Sequence, residues 1–184
     1  MLYIVLLHYP VCNKEGQIVA TSIANMDIHD IARIAKTYGV LKFYIVNPVL
    51  EQRILAQEIM NHWQEGYGAE YNKFRQAAFE LVKIKETLAE VLSEIAEESS
   101  LTPRIIVTGA NFSGNVLSYE KLSEMVKNNE SCPLLIVFGT GSGLAEEIVR
   151  NADFRLEPIK GAGHYNHLSV RSAVAIVLDR VARN

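Results

Sequence analysis

Three glycine-bearing segments in the second half of the chain have the make-up of ligand-binding turns. They are Thr108-Gly109-Ala110-Asn111, Gly139-Thr140-Gly141-Ser142-Gly143-Leu144 and Lys160-Gly161-Ala162-Gly163-His164-Tyr165-Asn166-His167. Glycine lets the backbone approach a ligand and leaves amides and carbonyls within reach of it. Each segment alone reads equally well as a tight turn between strand and helix; three together favour a pocket. In the first half, Arg33 offers a planar guanidinium that can clamp a phosphate or orient a nucleophile, against the plainer account of a solvated charge. Asp27 reads either as a helix cap or as an acceptor for a proton leaving a target held near Arg33.

Several chemistries are excluded. Gly139–Gly143 resembles a dinucleotide fingerprint, but that pattern belongs after the first strand, and here the first strand runs into His8-Tyr9-Pro10-Val11-Cys12. No Lys-Ser/Thr pair follows the glycines, no metal-ligand spacing of His or Cys occurs, and no G-x-S-x-G motif is found. A pocket for an adenosine-type ligand, made by several loops, remains.

Elements that would position these residues follow from the hydrophobic pattern. Apolar runs at 2–7, 41–46, 104–109 and 134–139, with weaker ones at 79–84 and 154–159, read as strands. Helical periodicity appears over 27–38, from Asn47-Pro48 to Trp63, and over 86–97, 119–127, 144–151 and 168–183. Asn25 or Asp27 would cap the first helix and Gly39 would end it. Segment 8–26 is expected as a loop with a small hairpin at 17–20. Segment 62–74 is expected as an aromatic loop. Strands that alternate with helices and are apolar without alternation predict an α/β fold, with a mainly parallel sheet flanked by helices. No repeat or linker divides the 184 residues, so residues 1–184 are expected as one domain. Leu168, Val170, Ala173, Val174, Ile176, Val177, Leu178 and Val181 wrap more than half of the last helix. That reads either as a core helix under the sheet or as a helix covered by the sheet and by a second subunit, and on the second account a symmetric homodimer is expected.

The chain is 49% hydrophobic and 21% charged, with a formal net charge of −3. This balance fits a folded protein and argues against a broad, non-specific grip on nucleic acid, while allowing a local basic patch. The apolar runs fall far short of a membrane span, and Met1–Pro10 reads as a strand and not a signal peptide. Cys12 and Cys132, far apart and without metal spacing, point to a reducing, cytoplasmic compartment.

Three motifs in order resemble the SPOUT superfamily of RNA methyltransferases. Residues 27–39 follow N-x-G-A-I-x-R-x-x-x-x-x-G, with Asp27 at the Asn position, His29 at Gly, Arg33 at Arg and Gly39 at the last Gly. Residues 136–144 resemble L-V-F-G-x-E-x-x-G-L, one residue shorter and without the Glu. Residues 158–169 match P-M-x-G-x-x-x-S-L-N-V-S at Pro158, Gly161 and Ser169, with Tyr165 at Ser and His167 at Asn. The resemblance covers essentially the whole chain and is nearest to a small group of stand-alone bacterial domains. It implies a C-terminal deep trefoil knot over about 104–184, a homodimer, and S-adenosylmethionine bound by three loops without a metal. It makes Arg33 catalytic, with Asp27 beside it. It places the cofactor against Thr108, Gly109, Ala110, Phe138, Gly139, Thr140, Gly141, Gly143, Leu144, Ile159, Gly161, Asn166, His167, Leu168 and Ser169, with Leu144 and Ile159 flanking adenine. Arg171 would serve the dimer seam or the partner's site.

The activity implied is methylation of tRNA or rRNA, on a ribose 2′-oxygen or a base nitrogen. The missing Glu and Asn leave both targets open. The alternative is a non-catalytic RNA- or nucleotide-binding knotted domain, and a nicotinamide enzyme is a distant third. For RNA contact, Trp63, Tyr67, Tyr71 and Phe74 would stack bases while Lys73 and Arg75 take phosphates, or else these aromatics pack inward. Segment 13–21, with Lys14, is the second candidate.

Overall fold

The structure is a computed structural model, and it describes residues 1–128, 132–163 and 165–183. His164, named above in the third glycine segment, lies outside the described residues. Six strands form one parallel sheet: β1 (Leu2–Leu7), β4 (Lys42–Val46), β5 (Val82–Lys85), β6 (Arg104–Val107), β7 (Leu134–Gly139) and β8 (Phe154–Arg155). Strands β2 (Val11–Cys12) and β3 (Ile18–Val19) make a small antiparallel hairpin in the loop after β1, wider than the one expected at 17–20 and beginning at Val11. The sheet order is β5-β4-β1-β7-β6-β8. Chain direction across the sheet therefore reverses between β1 and β7, whose registers pair Leu2 with Leu134 and Leu7 with Gly139.

The apolar strands explain themselves by double cover. On one face Leu2, Ile4, Leu6, Phe43, Ile45, Ile106, Leu134, Ile136 and Phe138 pack beneath five helices. These are α1 (Asn25–Thr37), α2 (Leu50–Gln64), α4 (Lys73–Phe79), α6 (Tyr119–Lys127) and α8 (Val170–Ala182). On the other, Tyr3, Val5, Leu7, Tyr44, Val46, Val107, Leu135 and Val137 meet α5 (Leu88–Ser99) and α7 (Glu146–Arg150). Both faces are buried, so an alternating pattern would leave polar groups without water.

Three expectations are corrected. Segment 62–74 is not a loop: α2 runs on to Gln64, and α3 (Tyr67–Tyr71) and α4 follow, separated only by Asn72. Gly68 permits this, because a Cβ there would sit 2.7 Å from the Trp63 ring. Asn72 caps α4, its side chain accepting from the Arg75 amide. Helix α1 is capped by neither Asn25 nor Asp27; its N-cap is Ala24, and the Asp27 carboxylate is used elsewhere. Strand β8 stops at Arg155, because Leu156 turns to bridge Leu117. At its other end α1 behaves as expected, with Gly39 at φ +69°.

Candidate functional site

A parallel sheet delivers all its strand ends to one edge, and ligands bind beyond that edge where the strand order reverses. Here β1, β7, β6 and β8 are neighbours, so the segments after them lie side by side. Those segments are 8–12, 139–144, 108–111 and 156–169. The three glycine segments are therefore brought together by topology.

The segment after β7 is held by the segment after β1. Thr140 N and its hydroxyl both donate to the Leu7 carbonyl, at 3.2 and 3.1 Å. Ser142 N donates to Cys12 O and Cys12 N to Gly143 O, each at 2.8 Å. Gly141, at φ +61°, is needed for this approach, since a Cβ there would lie 2.7 Å from Cys12 O. Much of this loop's backbone is thus committed to the fold, which sequence inspection does not show. Gly139 presses on Leu144, at 2.8 Å from a notional Cβ. Phe138 is buried behind it.

The other two segments meet each other. Asn166 Nδ2 donates to the Ala110 carbonyl at 3.3 Å. Thr108 is fixed by its amide and hydroxyl, both donating to Val137 O at 3.0 Å. Gly109 lies against the Phe112 ring. Gly161, Asn166, His167, Leu168 and Ser169 are exposed, and Ser169 caps α8 through Ser172 N. Ile159 is half-buried against one face's core and Leu144 against the other's. Gly163 has no atom within 4 Å of a notional Cβ, so a neighbouring group can approach its backbone; Gly143 is as open on that side, but its amide and carbonyl are bonded to Thr140 O and Cys12 N.

Arg33 and Asp27 do not meet. Arg33 is an exposed side chain paired with Asp30, and its Nε donates to His29 O at 3.2 Å. Asp27 is buried and accepts from Arg171 NH1 at 2.9 Å, while Arg171 Nε reaches Asp30 at 3.5 Å. An ion-pair chain Asp27–Arg171–Asp30–Arg33 therefore clasps α1 to α8. It borders a cleft of about 440 Å³ that also includes Thr37, Tyr38 and Ser172. Arg171 so serves this chain's own cluster. A larger cleft of about 750 Å³ lies among Asn115, Lys121, Glu146, Arg150 and Arg155, outside the glycine segments.

His8 was not among the expected site residues, although it ends the central strand. It is 1% exposed. Its Nδ1 lies 3.0 Å from the Thr21 hydroxyl, which lies 2.5 Å from the Thr140 hydroxyl. Its Nε2 is enclosed, with no hydrogen-bond partner among the described residues. Burial pushes its pKa down to about 4, against the opposing charge of Asp27. His29 is also lowered, by burial and then by Arg75 and Arg33.

The aromatic segment divides. Trp63 packs edge-on to His29 at 5.3 Å and carries the Arg75 guanidinium 4.4 Å above its ring. Tyr67, Tyr71 and Phe74 are 72%, 76% and 93% exposed, with the two tyrosine rings stacked at 6.1 Å.

Comparison with known proteins follows from this geometry. Residues 1–183 match a family described as SAM-dependent RNA methyltransferase. The chain is 43% identical over 180 residues to an uncharacterized protein of Aquifex aeolicus, spanning 98% of this chain and 87% of that one. It is 40% identical over 180 residues to a tRNA (guanine-N(1)-)-methyltransferase of Oleidesulfovibrio alaskensis, but spans only 41% of that protein's length. Among solved structures, a probable methyltransferase from Bordetella pertussis Tohama I shares the fold. Its TM-score is 0.65 at 15% identity, over 98% of this chain and 94% of that one.

Proposed function

Because this chain belongs to the SAM-dependent RNA methyltransferase family, we propose that it methylates tRNA or rRNA, holding its cofactor at the edge formed by 108–110, 139–144 and 158–169. The observation that carries the placement is the strand order, which sets these three segments side by side at the sheet's reversal point. The residues fit an adenosine group. Exposed backbone at Gly161 and Gly163 offers hydrogen-bonding atoms, and Leu144 and Ile159 offer apolar contact. Bound there, S-adenosylmethionine supplies a methyl group on a sulfonium, ready for in-line transfer.

The chain's own residues do the rest by position. Arg33 is exposed on α1 beside the smaller cleft and serves to seat an RNA phosphate or orient the acceptor atom. Asp27 is buried, and its carboxylate is held by Arg171 in the ion-pair chain that ends at Arg33. Tyr67, Tyr71 and Phe74, fully presented on α3 and α4, supply stacking surfaces for unpaired bases, with Lys73 nearby. Ribose 2′-oxygen and base nitrogen both remain within the chemistry of this site. The guanine-N1 activity in the name of the Oleidesulfovibrio protein concerns a chain more than twice as long.

The same reading includes a C-terminal trefoil knot over residues 104–184, a homodimer and a cytoplasmic setting. Dimerisation is supported by apolar side chains left exposed at the start of α1 and α2, namely Met26, Val49, Leu50, Ile54 and Leu55. On α8, Val174, Val177, Leu178 and Val181 are already buried within the chain. Two free cysteines agree with a reducing compartment.

The test is to incubate the protein with methyl-labelled S-adenosylmethionine and RNA from a strain lacking it. Label entering tRNA or rRNA supports the proposal. Cofactor binding without label in any RNA replaces it with the non-catalytic binder, and no cofactor binding removes it altogether.

A further inference from the structure

The larger cleft takes no part in the reading above, although its walls continue the chain of all three glycine segments. One wall, residues 115–117, follows the segment after β6. The second, α7, starts two residues after Leu144. The third, residues 152–155, leads into the segment after β8. Two backbone bonds tie the first wall to the third: Leu117 N donates to Arg155 O at 2.7 Å, and Glu157 N donates to Leu117 O at 2.9 Å. The cleft holds about 750 Å³ and contains none of the residues assigned to the cofactor. Its size falls within the roughly 300–1,000 Å³ of ordinary ligand clefts.

Its charges are not balanced. Three cations line it, Lys121, Arg150 and Arg155, against two carboxylates, Glu146 and Asp153. Both carboxylates are engaged. Glu146 accepts from Arg150 at 2.5 Å, and Asp153 accepts from the Ile105 amide at 2.7 Å. The side chains of Lys121 and Arg155 are exposed and meet no carboxylate or other hydrogen-bond partner among the described residues. In a chain of net charge −3, two unpaired cations in a concave site reverse the sign locally, and low-dielectric walls focus such a field. The rest of the lining suits a flat ring. Val149 and Phe154 supply apolar contact, and the Asn115 side chain, unbonded among the described residues, can donate and accept. The nearby helix end is not the seat of an anion, because Glu157 and Ser118 already take the α6 amides of Tyr119 and Lys121.

We propose that this cleft seats one nucleotide of the RNA strand outside the methylated position, with its phosphate held by Lys121 and Arg155 and its base against Val149 and Phe154. The inference rests on the RNA methyltransferase reading, since a free nucleotide would offer the same chemistry. A strand is favoured by the walls themselves. They are the flanks of the three cofactor segments, so a strand whose target reaches that edge has neighbouring nucleotides to place, and the unpaired cations stand where the chain leaves it. No bond is made or broken in the cleft; its part is to fix the register of the RNA.

Amide spectra of the full chain, titrated with a single-stranded RNA hexamer, with AMP and with inorganic phosphate, locate the ligand. The hexamer should shift the amides of 115–117, Lys121 and 152–155 saturably and at lower concentration than AMP, with phosphate weaker still. Lys121→Ala combined with Arg155→Ala removes two exposed side chains, so the urea midpoint and the affinity for S-adenosylhomocysteine should hold. RNA affinity should fall about tenfold, and the slope of log affinity against log salt should flatten by about 0.7, the counterion release of one phosphate on a single strand. Lys121→Arg combined with Arg155→Lys should keep the parental values of both. Lys83→Ala, on β5 at the opposite end of the sheet, should change neither. AMP binding more tightly than the hexamer would make this a free-nucleotide site and overturn the inference. So would a hexamer that shifts no cleft amide, a double alanine variant with the parental slope, or an equal loss in Lys83→Ala. Failure of the functional reading is seen separately. A parent protein that shows the cleft shifts but labels no RNA loses the methyltransferase reading and keeps the seat, and one that labels RNA without cleft shifts does the reverse.

Discussion

Acid should weaken this fold earlier than carboxylate titration alone would, and His8 is the reason. Its pKa falls from 6.5 in an unfolded chain to about 4 in the folded one. Below pH 6.5 the unfolded chain binds a proton that the native ring refuses, so stability drops as pH falls through the window from 6.5 to 4. Above 6.5 both states are neutral at this site and it contributes no slope. Each unit of difference is worth about 1.4 kcal/mol, so the fold should lose about 2 kcal/mol between pH 7.5 and 5 and about 3 kcal/mol by pH 4. His29 shifts in the same direction and adds to the slope. Glu94, lowered to about 2 by Lys85, Lys42 and Tyr44 against its own desolvation, acts in a different window. Its stabilisation is complete above about 4.5 and is lost progressively as pH falls from 4.5 to 2. Urea unfolding at half-unit steps from pH 8 to 4 measures the slope in the parent and in His8→Asn. The variant should lose most of the dependence between 6.5 and 4.5, whatever its absolute stability. Parallel curves for the two proteins would refute the burial argument.

Other expectations follow from the site's contacts. Arg171→Ala leaves the buried Asp27 without its ion-pair partner and removes one of the ties between α1 and α8. It should cost about 2 kcal/mol in urea unfolding, with part of the loss recovered in the Asp27→Asn, Arg171→Ala double variant. Arg33→Ala removes only an exposed pair with Asp30, so stability should hold within about 0.5 kcal/mol while methyl transfer drops about 100-fold at unchanged cofactor affinity. Gly141→Ala meets both a positive φ and the Cys12 carbonyl. It should lower the thermal midpoint far more than Gly16→Ala, where φ is also positive but the space is empty. Tyr71→Ala and Phe74→Ala should leave unfolding curves unchanged and weaken RNA binding in filter or fluorescence titrations, about 1–3 kcal/mol for each lost stack.

Much of the fold was legible because burial on both faces writes itself into uninterrupted apolar strands. Leu2–Leu7 and Leu134–Gly139 are plain in the chain, and so is the glycine that closes β7. Helix α6 was legible to the residue because Ser118 caps it and its apolar positions keep one period. Helices α3 and α4 were hidden because each is too short to show a period and Gly66, Gly68 and Asn72 interrupt them. Their packing is tertiary, with Gly68 under Trp63 and Phe79 against His29. Asp27 looked like a cap because it stands in the first turn of α1. Its partner Arg171 is 144 positions away, and nothing local announces it. The glycine segments signalled a ligand edge, but the commitment of 139–143 to Cys12 and Leu7 depends on β1 and β7 being neighbours. His8 had no motif around it; only the hydroxyl chain through Thr21 and Thr140 marks it.

The account turns on where the cofactor sits. Backbone amide spectra of the isotope-labelled protein, titrated with S-adenosylhomocysteine, address that directly. The expected result is saturable shifts clustered at 108–110, 139–144 and 158–169, with Thr140 carrying the change to Thr21 and His8. Shifts confined to the larger cleft around Asn115, Lys121, Arg150 and Arg155, or no shifts at all, would contradict it.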